Sequence, residues 1–150
     1  MPHSYASLLT HIVFSTKDRR PFMDSILEER LYPYLAGTIR QLGGKAYRIN
    51  GTEDHIHLLA EFPPGVATAT GIGKLKGCSS KWIHDTFADR QSFSWQRGYG
   101  AFSVSRSAIP IVGGYIERQK THHRKTSFQD EFIKLLRKHG VAFDESFIWK

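Results

Sequence analysis

The sequence predicts an α+β fold: a ferredoxin-like, split β-α-β antiparallel sheet with helices on one face, followed by two C-terminal helices. Two observations carry that expectation. Hydrophobic periodicity alternates between strand and helix in the order β-α-β-β-α-β before two further helical segments. In addition, the 150 residues contain no internal repeat, low-complexity run or linker, so residues 1–150 read as a single domain large enough for a substantial core.

Each element has its own signal. Residues 7–16 are apolar and β-branched, a buried first strand, and the charged stretch 17–20 with Pro21 ends it. From Asp24, a good N-cap, Ile26, Leu27, Leu31, Tyr34, Leu35, Ile39 and Leu42 recur at helical spacing. Pro33 is expected to bend or interrupt that helix, and Gly43-Gly44 to end it. Residues 45–50 read as a second strand, 51–54 as a tight connection and 55–62 as a third strand stopped by Pro63-Pro64-Gly65. A second helix spans about 70–87 with Ile72, Leu75, Trp82 and Ile83 inward, and a fourth strand lies within 99–104. A further helix carries Tyr115, a last one spans about 127–139, and Gly140 closes it before an apolar tail of Phe147, Ile148 and Trp149.

Charge narrows the partner. A net charge of +7 and a sequence pI near 9.7 suit a polyanion. Cys78 is the single cysteine, which excludes an intramolecular disulfide and a thiolate zinc cluster and fits a reducing cytoplasm. Residues 1–10 lack the basic start and long apolar run of a signal peptide, and no stretch is long and apolar enough to span a membrane. The expectation is a cytoplasmic protein.

Two short motifs far apart carry the chemistry. In His55-Ile56-His57 the imidazoles share one strand face, about 6.6 Å apart along the strand, while Ile56 points toward the helices. Two such groups can hold a divalent ion from adjacent corners, although two histidines on a solvated face would read the same way. In Tyr115-Ile116-Glu117-Arg118-Gln119 the tyrosine and glutamine are four apart, hence one helical turn. A phenol can act as a covalent nucleophile, and a glutamine carbonyl is a neutral oxygen ligand. Together they describe a His55, His57, Gln119 site for Mg²⁺ or Mn²⁺ with Tyr115 beside it. Gly113-Gly114 directly before the tyrosine implies either a helix that starts after them or a hinge. His123 falls on the Tyr115/Gln119 face two turns along, within reach of the metal or the DNA, but His122 and His123 read more readily as packing or phosphate-contacting groups; Glu53 and Asp54 are either turn residues or groups able to orient an imidazole.

The His-hydrophobe-His strand, the segment Trp95-Gln96-Arg97-Gly98-Tyr99-Gly100-Ala101-Phe102-Ser103-Val104-Ser105, and Tyr115-Ile116-Glu117-Arg118-Gln119 followed by His122-His123 resemble the HUH single-tyrosine transposases of the IS200-like family. The resemblance runs over nearly the whole chain in the right order. It implies a divalent metal on His55, His57 and Gln119, with Tyr115 as nucleophile. It further implies a 5′-phosphotyrosine intermediate on single-stranded DNA, recognition of DNA hairpins, and a homodimer in which active sites can be shared between subunits.

For DNA binding, the basic groups Arg19, Arg20, Lys74, Lys76, Lys81 and Arg97 are the sequence candidates, and Tyr47, Trp82 or Trp95 candidates for base stacking. Two other readings stand beside the transposase. One is a non-catalytic (domesticated) single-stranded nucleic-acid-binding module on the same fold, against which the presence of Tyr115 and Gln119 argues. The other is a water-using metal phosphodiesterase in which Tyr115 is structural.

Overall fold

The computed structural model describes residues 4–149; residues 1–3 of the segment read for a leader lie outside the described residues. Strands β1 (Leu9–Ser15), β2 (Lys45–Gly51), β3 (His55–Glu61) and β4 (Gly100–Ser103) form one antiparallel sheet in the order β2-β3-β1-β4. Helices α1 (Ser25–Gln41) and α2 (Thr68–Thr86) complete the split β-α-β unit; α3 (Ile109–Glu117), the single turn α4 (Gln119–His122) and α5 (Phe128–Lys138) follow. The fold class and element order are those expected from the sequence.

Helix α1 begins where Asp24 accepts the Leu27 N–H at 2.9 Å, and the same carboxylate receives both Arg90 contacts at 2.8 and 2.9 Å. The expected interruption at Pro33 does not occur, because the helix runs through it to Gln41. Losing one backbone hydrogen bond at a proline costs about 3 kcal/mol, whereas each fully buried leucine contributes about 1.5–3 kcal/mol. Leu27, Leu31, Leu35 and Ile39 are all buried on the two sides of Pro33, so packing outweighs the break. Gly43 then takes the left-handed φ of +88° that ends the helix.

The pleat gives the sheet two different faces. Ile12 and Phe14 of β1 with Ile56, Leu58 and Ala60 of β3 pack under α1 and α2, with Ile72, Leu75 and Ile83. On the opposite face Leu9 and Leu59 meet Ile116 of α3, while Val13 and Phe102 meet Phe128, Phe132 and Leu136 of α5. The C-terminal helices therefore roof the second face, and β3 is buried almost throughout. Trp95 lies in the core with its indole N–H donating to Ser79 Oγ at 2.9 Å, so it is not the exposed stacking platform considered from the sequence. Trp82 is itself stacked on Tyr34. Among the described residues, no helix is long and apolar enough to cross a membrane.

Two glycines of α2 should respond oppositely to alanine. At Gly77 an added Cβ meets open space, so Gly77→Ala should stabilise by about 0.5–1 kcal/mol and raise Tm by about 1–4 °C. At Gly71 the Cβ would lie 2.6 Å from the Phe62 ring, and Gly71→Ala should lower Tm. Calorimetric melting of the two variants checks the pair, and equal shifts would contradict the packing described.

Candidate active site

Antiparallel register assembles the histidines. Ser15 lies opposite His55, Val13 opposite His57 and His11 opposite Leu59, so His11, His55 and His57 share the roofed face between the two apolar patches. None of the three is solvated: His55 and His57 are 0% exposed and His11 is 4% exposed. Each is oriented by its neighbours. Asp54 Oδ1 lies 2.8 Å from His55 Nδ1 and also accepts the Thr52 hydroxyl at 2.8 Å. His11 Nε2 is 2.8 Å from His57 Nδ1. Burial pushes the His57 pKa down to about 4 and that of His11 to about 3, so both are neutral near pH 7. For His55, burial acts downward, but the hydrogen bonds to Asp54 and Glu131 hold it above the ordinary histidine value.

Helix α3 delivers the tyrosine. It starts before the glycine pair, with Pro110 in its first turn, so Gly113 and Gly114 lie inside the helix. Ile116, fully buried, anchors it on Leu9 and Leu59. The helix breaks at Arg118 (φ −91°, ψ 13°), and Gln119 opens the short α4. The single helical face expected for Tyr115 and Gln119 is thus interrupted, yet both side chains converge on one carboxylate, Glu131 of α5. The Tyr115 hydroxyl donates to Glu131 Oε2, and Gln119 Nε2 donates to the same oxygen at 3.1 Å. Gln119 Oε1 lies 3.2 Å from His55 Nε2.

Glu131 sits at the centre of the site at 2% exposure. Its Oε1 is 2.9 Å from both His57 Nε2 and His123 Nε2 and 3.4 Å from His55 Nε2. Burial would raise its pKa, but hydrogen bonds from His123, His55 and His57 reverse that and keep it ionised. The phenol beside it is pushed upward by burial and by this carboxylate.

One donor atom from each of His55, His57, His123 and Glu131 lies within 4.8 Å of all the others. Three imidazoles and a carboxylate suit a divalent cation of the Mn²⁺ or Zn²⁺ type, so the side chains present fit a metal. A cleft of about 550 Å³ opens onto this centre between α3 and α5. Tyr115, His122 and Ile111 line it with the cationic Arg118, Lys134 and Lys138.

The structure brings together His55, His57, Gln119 and Tyr115 of the sequence candidates. Asp54 orients His55 as considered. Sequence reading missed Glu131 and His11, and it placed His123 near the site as the less favoured of two roles. Signals for two of them exist: Glu131 interrupts the apolar stripe Phe128, Phe132, Leu136, and His11 has the same strand parity as Leu9 and Val13. The basic candidates lie elsewhere. Lys74, Lys76 and Lys81 are on α2, across the sheet from Tyr115. Lys76 donates to the carbonyls of Gln96, Arg97 and Gly98 at 3.0, 3.3 and 2.6 Å, and Lys81 pairs with Asp85 at 2.5 Å. Arg19 and Arg97 line one groove with Lys17 and Trp149, and Arg20 and Lys74 are exposed.

Comparison with known proteins bears on the family and the fold. Residues 4–119 match the family model described as Transposase IS200 like. The transposases for insertion sequence element IS200 of Salmonella typhimurium and of Salmonella typhi are each 28% identical over 124 residues, covering 79% of this chain and 81% of theirs. Among solved structures, a Deinococcus radiodurans protein assigned as a transposase superposes with a TM-score of 0.64 at 22% identity, over 79% of this chain and 95% of that one. A REP-associated tyrosine transposase bound to a REP hairpin superposes with a TM-score of 0.59 at 12% identity, over 82% of this chain and 74% of that one. With a family match over most of its length, and a His-x-His strand facing a tyrosine helix across one buried centre, the chain belongs to the IS200-like transposase family.

Proposed function

We propose that this protein is a cytoplasmic, metal-dependent transposase that cleaves and rejoins single-stranded DNA at insertion-sequence ends through a 5′-phosphotyrosine intermediate, recognising DNA hairpins. The observation that carries the reading is the Tyr115 hydroxyl, held against the histidine centre and lining a cleft edged by Arg118, Lys134 and Lys138. Residues 1–150 act as a single HUH domain in this reading.

Tyr115 is the nucleophile. Its phenolic oxygen forms a bond to the scissile phosphorus, and the bond from phosphorus to the 3′ oxygen breaks. That oxygen gains a proton to become a free 3′-hydroxyl. Attack of a 3′-hydroxyl on the phosphotyrosine reverses the step and joins strands without external energy. His55 and His57, with Gln119 as a neutral oxygen donor, would hold Mg²⁺ or Mn²⁺, and Lewis-acid polarisation of the phosphate would come from that ion when bound. His11 and Asp54 fix the rings that face it. The cations of the cleft place the backbone, and the exposed Arg20, Lys74 and Arg97 with Arg19, Lys76 and Lys81 form the wider electrostatic footprint.

The hairpin bound to one structural relative supports a hairpin substrate. A homodimer is part of the proposal, with Tyr115 placed at the histidines of its own chain here. Gly113 and Gly114 would let the tyrosine helix move between its own and its partner's site.

Four outcomes are expected. With labelled hairpin DNA and Mn²⁺, the protein should form a covalent adduct on a denaturing gel, which a chelator removes. Tyr115→Phe should reduce cleavage by about 10⁴-fold or more while leaving hairpin affinity intact; normal cleavage would return Tyr115 to a structural role. Hairpin affinity measured by filter binding should fall about 10³-fold from 50 to 200 mM salt if six phosphates are contacted, and Arg97→Ala should reduce the log–log slope by about one. A flat response removes the electrostatic argument. Replacing both Gly113 and Gly114 with alanine should impair strand exchange more than first cleavage, and equal loss in the two assays contradicts the hinge.

A further inference from the structure

Glu131 lies outside the segment 4–119 shared with the family, on the helix that roofs the site. The hydrogen bonds around it identify what it faces. The Nδ1 of His123 lies 2.7 Å from the carbonyl of Thr126, which can only accept, so Nδ1 donates there and Nε2 is the ring nitrogen turned to the site. His55 is arranged the same way, with Nδ1 against the Asp54 carboxylate. His57 Nδ1 is taken up by His11. All three Nε2 atoms then converge on one carboxylate oxygen, at 2.9, 3.4 and 2.9 Å for His123, His55 and His57, with the Gln119 carbonyl oxygen 3.2 Å from His55 Nε2. Four potential ligand atoms thus meet at one buried point, within 4.8 Å of one another, the arrangement a divalent cation needs.

A purely structural acid explains this poorly. Glu131 occupies the buried stripe of an amphipathic helix whose other members are Phe128, Phe132 and Leu136, where an apolar residue would pack without the desolvation penalty of several kcal/mol per buried ion. Its two oxygens are also divided between two tasks. Oε1 faces the imidazoles, and Oε2 receives Tyr115 and Gln119.

We propose that Glu131 and His123 are ligands of the divalent metal together with His55 and His57, and that the second oxygen of Glu131 positions the Tyr115 hydroxyl beside that metal. This rests on the reading that the histidine strand holds a metal. The C-terminal helix is then part of the catalytic centre, and removing its carboxylate loosens metal and nucleophile together. With the Gln119 oxygen, three imidazoles and one carboxylate make a nitrogen-rich donor set that favours Mn²⁺ or Zn²⁺ over Mg²⁺.

The test is calorimetric titration of the purified protein with Mn²⁺, with circular dichroism to verify folding. Glu131→Gln and His123→Gln should each weaken Mn²⁺ binding by about tenfold or more and reduce the rise in Tm that Mn²⁺ gives the wild type. Wild-type affinity in both variants, alongside loss of binding in His57→Ala, overturns the proposal and leaves the histidine-strand reading standing. Wild-type affinity in His57→Ala as well overturns both. At saturating Mn²⁺, Glu131→Gln should still bind hairpin DNA yet form the covalent adduct at least about tenfold more slowly; full recovery of the rate refutes the positioning role. Should Glu131→Gln fail to fold, Glu131→Asp, which keeps the charge on a shorter arm, takes its place: weakened Mn²⁺ binding is expected and unchanged binding overturns the assignment.

Discussion

The antiparallel pairing of β1 with β3 is the constraint on which the rest of the structure depends. Register and pleat together send Ile12, Phe14, Ile56 and Leu58 to one face and His11, His55 and His57 to the other. A slip by one residue would exchange the faces, placing imidazoles in the apolar layer under α1 and α2 and isoleucines in the site. The large hydrophobic cluster that stabilises the fold therefore also fixes the parity of the histidine face. Stability and site geometry rest on the same ladder of hydrogen bonds.

The second face obeys a different balance. Small apolar clusters at its two ends, Leu9, Leu59 and Ile116 on one side and Val13, Phe102, Phe128, Phe132 and Leu136 on the other, pin α3 and α5 in place. Between them the roof closes over polar groups whose desolvation must be offset by mutual contacts. Every imidazole has an outer partner: Asp54, His11 or the Thr126 carbonyl. The result is a buried floor that meets one cleft beside Tyr115 and a second pocket beside Asp54 and His123. Preorganisation of this kind suits chemistry in which a phosphate must be held and polarised rather than rearranged.

The basic character of the chain divides between two tasks as well. Lys76 is half-buried and closes the 96–98 loop by binding three carbonyls, while Arg90 clamps the N-cap of α1. Arg118, Lys134 and Lys138 instead face the cleft, and Arg19 and Arg97 share a groove with Trp149. A net charge of +7 thus identifies the kind of partner, and only the fold sorts structural cations from those left facing solvent.

The sequence by itself determined the element order, the alternating faces of the strands, the N-cap at Asp24 and the helix end at Gly43. These are local signals, set by periodicity and backbone preference within a few residues. It misjudged Pro33, because the penalty is local but the compensation comes from leucines buried against other elements. It left Trp95 among the candidates for base stacking, because the Ser79 hydroxyl that satisfies the buried indole is on another element. Tertiary structure alone decided that α5 folds back over the sheet, that His11 supports His57 across strands, and that Glu131 meets His123, Gln119 and Tyr115 at one point. Those contacts join positions remote in the chain, and their only local trace is a single acid in an apolar stripe, which no periodicity can pair with its partners.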